Sequence, residues 1–371
     1  MTFKTNFPVK NLKRIIFAAC MAAALLALLS GCSIGSVDTS GEVTHTVTSK
    51  SDLSRLKFSE PNNIIPGAPD IYVILKSYNT TYWKPLADGV SRAGIDCGCN
   101  IYMSTGLNYI KWDGQKKLLE KALSDGADAV ILAPEDSSEL NESIDKLHEA
   151  GIPVILVDTC VNADSYDVCY MTDNLKAGQN AARELYTMMK AGGVSEYEVV
   201  TVSLIVGNSE SQTVNERLAG FLSYWNEHAP KAWMTSDEIE VVNEEEKFAA
   251  ETAGALLQND PNIRAFFAAD EASGAGVTRM MLDGERKDLY LACFDYSPTI
   301  KTIISDPDYN VISILQNQYN MGYEGVETAK SLVYGGKATA KFVDTDTLTL
   351  RYSNITEGNN LQEIAQYKDF K

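Results

Sequence analysis

The chain has 371 residues and a formal net charge of −18, and 45% of its residues are hydrophobic, a share typical of a globular protein. An acidic surplus of this size argues against a nucleic-acid-binding protein, because phosphate backbones are bound by clustered lysine and arginine. The length exceeds what one compact core usually serves, so we expect two domains.

The first 32 residues have the pattern of a bacterial lipoprotein signal. Four basic residues precede an uncharged apolar run over residues 15–29. This run is shorter than the roughly 20 residues that span a bilayer, whereas a basic start followed by a short apolar run is typical of a signal peptide. The run ends in Leu29-Ser30-Gly31-Cys32, which matches the lipobox. We therefore expect lipid attachment at Cys32 and an extracytoplasmic protein anchored to the cell membrane.

Residues 33–67 are rich in serine, threonine, aspartate and asparagine and lack apolar periodicity. This composition predicts a flexible tether between the lipid and the body of the protein.

The cysteines leave the redox state open. Five of them follow Cys32, at Cys97, Cys99, Cys160, Cys169 and Cys293. An odd number leaves at least one free thiol whatever disulfides form. The C-x-C spacing and a total of three histidines do not predict a metal site. We favour free thiols, with a bridge between Cys160 and Cys169 left open.

From Asp70 onwards, short β-branched runs alternate with longer amphipathic segments. The predicted strands cover residues 71–75, 129–133, 154–158, 199–206, 265–268, 290–294 and 311–315. The predicted helices cover residues 83–93, 137–150, 213–227, 250–258 and 322–334. Continuous apolar strands separated by helices indicate βαβ units with both sheet faces covered. The sequence therefore predicts an α/β fold of two doubly wound parallel-sheet lobes.

Polar side chains follow the predicted strands, where ligands bind in open α/β sheets. These positions are residues 76–79, 134–136, 158–159, 207–208, 270–271, 295–296 and 316–318. Carboxylates, amides and an arginine, combined with aromatic faces, suit a polyhydroxylated ligand. For any single position, a turn residue or a helix cap remains an alternative interpretation.

Catalytic signatures are missing from the sequence. It contains no G-x-S-x-G elbow, no phosphate-binding G-x-x-x-x-G-K-[ST] loop and no H-E-x-x-H motif. The three histidines lie away from the predicted strand ends, so none is placed as a general base. We therefore expect no enzyme activity, no cofactor and no metal.

Short motifs recur along the body of the chain in a characteristic order. They are Asn79 to Trp83 followed by Asp88-Gly89, then residues 126–130, 151–154, 158, 172–174, 216–221, 267–271, 294–295 and 322–326. Over roughly Asp70 to Lys341, this order resembles the periplasmic sugar-binding proteins of the ribose-binding type. The resemblance implies two lobes that a three-strand hinge joins and that close on a sugar.

The resemblance also implies the boundaries of the lobes. The N-terminal lobe would comprise residues 68–172 plus 317–344, and the C-terminal lobe residues 173–316 plus 345–371.

Ligand-binding roles follow from the resemblance position by position. In the first lobe, Tyr82 and Trp83 match the aromatic residues that sandwich the sugar ring, and Asp158 matches a carboxylate. In the second lobe, Arg217 matches the arginine that bridges ring and hydroxyl oxygens, and Asp295 matches a carboxylate.

Four further positions complete the predicted site. Gln316 matches the glutamine of the hinge, and Lys76 and Thr172 fall at polar positions near the ligand. Asp270 stands where the family has an asparagine of the second lobe.

Other positions depart from the family pattern. Thr159 replaces an arginine, Ala133 replaces an asparagine, and Glu244-Glu245-Glu246 stands where an aromatic residue is expected. The predicted site is therefore more acidic than a ribose site. This puts simple ribose in doubt and favours a larger, amino-substituted or otherwise cationic ligand, because buried carboxylates need a compensating partner.

The leading hypothesis is a monomeric, lipid-anchored solute-binding protein that delivers a sugar or sugar-like ligand to an ABC permease. The alternative is a receptor that presents such a ligand to a sensor kinase or chemoreceptor. A transcriptional repressor of similar fold would need an N-terminal helix-turn-helix, and here the signal and the tether occupy that position.

Overall fold

The structure is a computed structural model that describes residues 48–61, 63–78, 80–209 and 211–356. The predicted signal with Cys32, the first part of the predicted tether, Asn79 and residues 357–371 lie outside the described residues. Within the described ranges, no helix combines the length and the apolarity that crossing a membrane requires.

The first lobe is built on a seven-stranded sheet. Its strands are β1 (Lys57–Phe58), β2 (Asp70–Ile74), β3 (Asn100–Thr105), β4 (Ala129–Leu132), β5 (Val154–Val157), β6 (Val168–Met171) and β12 (Phe342–Asp344). They lie in the order β1-β3-β2-β4-β5-β6-β12, and only β1 runs antiparallel to its neighbour. Every side chain of β4 and β5 is buried, as expected for strands covered on both faces.

Helices cover both faces of this sheet. They are α1 (Lys50–Leu53), α2 (Trp83–Cys97), α3 (Trp112–Asp125), α4 (Asn141–Glu149) and α10 (Gln318–Val333). Alternate residues of β2 enter different cores: Ile71 and Val73 pack with α2 and α10, whereas Tyr72 and Ile74 pack with α3 and α4. This alternation follows from the two-residue period of a strand.

The second lobe repeats the plan on a six-stranded sheet. Its strands are β7 (Val200–Val206), β8 (Trp233–Val241), β9 (Ile263–Ala268), β10 (Tyr290–Phe294), β11 (Asn310–Gln316) and β13 (Thr347–Leu350). Their order is β13-β11-β10-β9-β7-β8, with β13 antiparallel to β11. The accompanying helices are α5 (Asn174–Ala191), α6 (Gln212–His228), α7 (Glu246–Asn259), α8 (Glu271–Asp283), α9 (Pro298–Ile304) and α11 (Tyr352–Thr356).

Three short segments carry the chain between the lobes. They connect β6 to α5, β11 to α10, and β12 to β13. At the first and third crossings, the Lys176 ammonium lies 2.9 Å from a carboxylate oxygen of Asp344 and 3.1 Å from one of Asp346. The predicted fold class, two doubly wound lobes joined by a three-strand hinge, is confirmed.

The described part of the predicted tether packs on the first lobe. The hydroxyl and the backbone N–H of Thr48 donate to the carboxylate of Asp113 at 2.6 and 2.7 Å. Leu56 is buried, and β1 adds an antiparallel strand to β3. Residues 48–58 of the predicted tether therefore lie in contact with the first lobe, and the flexible tether as far as residue 67 stays a prediction. The few apolar side chains of residues 48–58 have no regular spacing, yet Leu56 is buried at the edge of the sheet.

The five cysteines in the described part of the chain are free thiols. Cys160 and Cys169 contact each other, and the hydrogen bond from Cys169 lowers the pKa of the Cys160 thiol. Burial raises the pKa of Cys293 to about 12, so that this thiol stays protonated.

Glycines allow unusually close helix packing in both lobes. A Cβ atom at Gly178 on α5 would lie 2.0 Å from the carbonyl oxygen of Arg217 on α6, and Gly220 on α6 makes the reciprocal contact with α5. The first lobe repeats this arrangement with Gly89 on α2 and Gly322 on α10. The helices therefore approach through their backbones, and the α5 contact fixes the position of Arg217.

Replacing Gly178 by alanine tests this packing. The new methyl group would meet the backbone of Arg217, so Gly178→Ala should lower the free energy of unfolding by about 1–3 kcal/mol. That loss exceeds the gain of about 1 kcal/mol that alanine brings to a helix interior. Urea denaturation measures the difference.

The matched control is Gly254→Ala in α7. The nearest atom to its added Cβ is the Met280 Cγ at 4.0 Å, so this variant should be stabilised by about 0.5–1 kcal/mol. Equal effects of the two substitutions would contradict the close approach of α5 to α6.

Candidate functional site

Two aspartates occupy corresponding places at the carboxyl ends of the two sheets. Asp158 follows β5 with a φ of 69°, and Asp295 follows β10 with a φ of 63°. The backbone N–H of Asp158 donates to Tyr170 at 2.9 Å, and that of Asp295 donates to Ile314 at 3.0 Å. Aspartate tolerates this left-handed backbone better than most residues, and such conformations cluster at functional sites. Both carboxylates therefore lie at the carboxyl end of a strand in the same left-handed backbone conformation.

In the first lobe, Asp158 is held by a set of donors. Lys76 Nζ lies 3.1 Å from its Oδ2, the Tyr82 hydroxyl donates to Oδ1, and the Thr159 hydroxyl donates to Oδ2 at 2.7 Å. Lys76 Nζ also donates to Thr159 at 2.9 Å and lies 5.5 Å from the centre of the Trp83 ring. Burial acts to raise the pKa of Asp158, but Lys76 and these hydrogen bonds hold it below its usual value. Asp158 is therefore a buried, ionised carboxylate.

In the second lobe, the buried guanidinium of Arg217 is fixed on several sides. Its Nε donates to Asn174 at 2.8 Å and its Nη1 to the carbonyl of Ala269 at 3.0 Å. Nη1 also lies 3.6 Å from the carboxylate of Asp295, and the guanidinium stacks on Phe294 at 4.4 Å. Such a held guanidinium is suited to orienting oxygen atoms of a ligand.

A hydrogen-bonded chain links Asp295 to the hinge. Gln316 Nε2 donates to the Asp295 Oδ1 at 2.8 Å, and the Thr172 hydroxyl donates to the Gln316 Oε1 at 3.1 Å. Thr172 and Gln316 lie at two of the crossings between the lobes. Burial raises the pKa of Asp295, and the nearby charge of Arg217 partly offsets that rise.

A cavity of about 460 Å³ opens between the lobes. Its lining residues are Tyr82, Val214, Glu244, Glu246, Asp270, Glu271, Ala272, Ala275 and Asp295. The Thr81 hydroxyl of the first lobe donates to Glu271 of the second at 3.2 Å and so joins the lobes beside it.

Three of the nine predicted binding residues line this cavity: Tyr82, Asp270 and Asp295. The other six contact one another or these three. Lys76, Trp83 and Asp158 cluster around Tyr82, and Arg217, Gln316 and Thr172 connect to Asp295. Their ligand-binding roles stay predictions.

The two predicted aromatic residues do not form an open slot. The rings of Tyr82 and Trp83 meet edge to face, at 5.1 Å between centres and an angle of 76°. Trp83 is only 8% exposed and belongs to the core of the first lobe. A sugar sandwiched between two rings would need their faces to oppose each other, which this geometry does not provide.

Asp270 is a helix cap as well as a lining residue. Its carboxylate accepts from the backbone N–H of Gly207 at 2.5 Å and from that of Ser273 at 3.0 Å. It thus caps α8, which agrees with the alternative interpretation of strand-end acids as helix caps.

Sequence reasoning did not select three acidic residues of the cavity wall: Glu244, Glu246 and Glu271. Glu271 directly follows Asp270 after β9, so its position was the available signal. Burial, reinforced by Asp295, Asp270 and Glu246, raises the pKa of Glu271 to about 7.

Two α/β lobes joined by three crossings, with a polar cavity between them, define a bilobal solute-binding protein of the periplasmic type. The chain belongs to the family described as the periplasmic binding protein domain, whose model matches residues 71–337. The predicted resemblance is confirmed. The family consists of binding proteins rather than enzymes.

Relatives and solved structures agree with this membership. The ribose import binding protein of Bacillus subtilis is 22% identical over 271 residues, 71% of this chain and 81% of that protein. The D-apiose import binding protein of Actinobacillus succinogenes is 22% identical over 266 residues, 72% of this chain and 82% of that protein. A carbohydrate transporter solute-binding protein of Agrobacterium radiobacter, solved with D-arabinose, superposes with a TM-score of 0.69 at 22% identity and covers 82% of this chain and 100% of its own.

The pair of Lys76 and Asp158 should contribute to stability in a pH-dependent way. Lys76→Met leaves a buried carboxylate without its cation and should lower the free energy of unfolding at pH 7 by about 2–4 kcal/mol. Because the folded-state pKa of Asp158 is lowered, the stabilisation exists above the unfolded pKa of about 3.9 and is lost as the pH falls. Urea denaturation of both proteins from pH 7 to about pH 3 should show the difference shrinking.

Lys84→Met is the control for this experiment. Lys84 pairs with Asp88 at 2.5 Å on the surface, where both side chains are at least 40% exposed. Its loss should change the free energy of unfolding by less than about 1 kcal/mol. A similar loss in both variants would contradict a special role for the buried pair.

Proposed function

We propose that this protein is an extracytoplasmic solute-binding protein that captures a sugar or sugar-like ligand between its lobes and delivers it to an ABC importer. The observation that carries the proposal is the interlobe cavity, whose carboxylate Asp295 is bound to Arg217 and to the hinge residue Gln316. The printed names of the relatives, import binding proteins for ribose and apiose, support the same function.

The donors and acceptors suit a polyhydroxylated ligand. Hydroxyl groups donate to the carboxylates of Asp295 and Asp158 and accept from the guanidinium of Arg217. Hydrogen bonds to charged groups contribute about 1.5–3 kcal/mol each, so that a few of them fix the orientation of a small sugar. We place Tyr82, which lines the cavity, beside the ring of the ligand.

Lobe closure provides the signal to the importer. The bond between Thr81 and Glu271 joins the lobes at the cavity, and Thr172 and Gln316 connect the carboxylate of Asp295 to two crossings. A ligand that touches both lobes binds the closed state more tightly and so shifts the population towards it. The permease then docks on the closed form.

The N-terminal segment supports an anchor. The lipobox that ends in Cys32 supports cleavage before this residue and its acylation. Two acyl chains hold a protein durably on a membrane, since each buried CH₂ contributes about 0.8 kcal/mol. We propose that the protein works there as a monomer beside its permease.

Calorimetry and thermal denaturation of the intact protein with D-ribose, D-apiose, D-arabinose, D-allose and D-galactose test ligand capture. A ligand at 100 times its Kd should add about 2.7 kcal/mol of stability. Asp295→Asn should weaken binding of the same ligand about 10- to 100-fold, because a charged acceptor is lost. Because this substitution also leaves the buried guanidinium of Arg217 without its carboxylate, the affinity is measured at a temperature where the variant is folded.

Asp283→Asn, at the exposed end of α8, is the matched control and should bind as the wild type does. If sugars of every class tested leave the protein unchanged, the proposed function is wrong. If Asp295→Asn binds normally, the role of Asp295 is wrong while the function stands.

Labelling with palmitate tests the anchor. Cys32→Ala should abolish incorporation of the fatty acid, because the acylated thiol is removed. Cys97→Ala should keep the label, since this residue lies within the folded first lobe. Label retained by Cys32→Ala would refute the predicted attachment site.

A further inference from the structure

The cavity wall carries several negative charges. Five of its lining residues are acidic, and all five belong to the second lobe: Glu244, Glu246, Asp270, Glu271 and Asp295. Among the described lining residues there is no lysine, arginine or histidine. The charged side chains that line the cavity are therefore all negative.

The protein itself compensates three of these carboxylates. Asp295 has Arg217 at 3.6 Å, and Glu246 has Arg279 at 3.7 Å. Asp270 accepts from two backbone N–H groups at the start of α8, where the helix dipole also favours negative charge.

The half-buried carboxylate of Glu271 lacks such compensation, and so does that of Glu244, which is exposed to solvent. In the part of the chain that the structure describes, neither Glu271 nor Glu244 takes part in an ion pair. Glu271 accepts a neutral hydrogen bond from Thr81 at 3.2 Å, at the seam where the lobes meet. Burial and the facing charges of Asp295, Asp270 and Glu246 make its ionised form costly, which is why its pKa is raised to about 7.

Three kinds of group are candidates for compensating Glu271 and Glu244: a hydroxyl group, a metal ion and a protonated amine. Hydroxyl groups of a neutral sugar donate hydrogen bonds but bring no charge. A metal ion would need several ligands, and the described residues contain no group of three His, Cys, Asp or Glu side chains arranged to hold one. A protonated amine brings one positive charge and three N–H donors.

We propose that the natural ligand is a polyhydroxylated amine, such as an amino sugar, whose ammonium group binds Glu271 with Glu244 nearby. This proposal rests on the proposed function, because it assigns the substrate class of the same cavity. The hydroxyl groups of the ligand then face Asp295 and Arg217, and its charge completes the closed interface between the lobes.

Paired ligands test the proposal on the intact protein at pH 7. Calorimetry would compare D-glucosamine, D-galactosamine and 2-amino-2-deoxy-D-ribose with the corresponding neutral sugars and with the N-acetyl forms, which lack the charge. The amine should bind about tenfold or more tightly than its neutral partner. Glu271→Gln should remove this preference, so that the amine and its neutral partner bind with similar affinity.

The control is Glu251→Gln, an exposed residue of α7 whose loss should leave the preference intact. A second readout needs no ligand: Glu271→Gln should raise the unfolding temperature of the free protein at pH 8, above the pKa of about 7 of this carboxyl, because it removes a half-buried charge that has no cation beside it. A lower unfolding temperature would show that the protein already compensates Glu271, and the proposal would fail.

The outcomes separate this proposal from the proposed function. If a neutral sugar binds more tightly than its amine, the amine proposal is overturned and sugar capture stands. If neither class binds, both are overturned.

Discussion

The cavity between the lobes depends on keeping the buried carboxylates of Asp158 and Asp295 charged. Removing an ion from water costs several kcal/mol even after the protein relaxes, unless a partner of opposite charge or several hydrogen bonds replace the water. Asp158 has Lys76, and Asp295 has Arg217 and Gln316. Lys76, Arg217 and Gln316 come from other segments of the chain. The two aspartates can therefore stay charged only when these segments lie together as they do in the fold.

The two lobes differ in how fully they compensate the charge of their buried aspartate. In the first lobe, an ammonium and two hydroxyl groups lower the pKa of Asp158, whereas in the second lobe the pKa of Asp295 remains raised despite Arg217. Glu271 extends the excess of negative charge to the seam between the lobes. The second lobe is therefore the side of the cleft that gains most from a donor or a cation brought by the ligand.

The sequence predicted best those elements whose side chains are buried all round. The prediction for β4 and β5 differs from the structure by a single residue, because their runs of apolar residues have no polar interruption. It missed β8, an edge strand with mostly polar and exposed side chains, and it missed the helix α5. An edge strand has only part of its surface to bury, so its pattern does not distinguish it from a loop.

For the cavity, the sequence could locate single residues but not their contacts. Asp295 and Gln316 were expected after strands, yet the bond between them follows from the pairing of β10 with β11. The contact of Thr81 with Glu271 spans 190 positions and forms only when both lobes are in place. Trp83, an aromatic residue at a family position, also belongs to the core of its lobe, which its position in the sequence did not indicate.

The reciprocal glycine contacts determine how the molecule can move. The helices that begin directly after two of the crossings, α5 and α10, are the ones clamped to α6 and α2 through their backbones. Tight packing of this kind resists sliding, so each helix turns together with its whole lobe. The lobes consequently rotate about the short crossings, and α5 and α10 rotate with their lobes. A small rotation at the crossings would therefore become a larger displacement at the rim of the cavity.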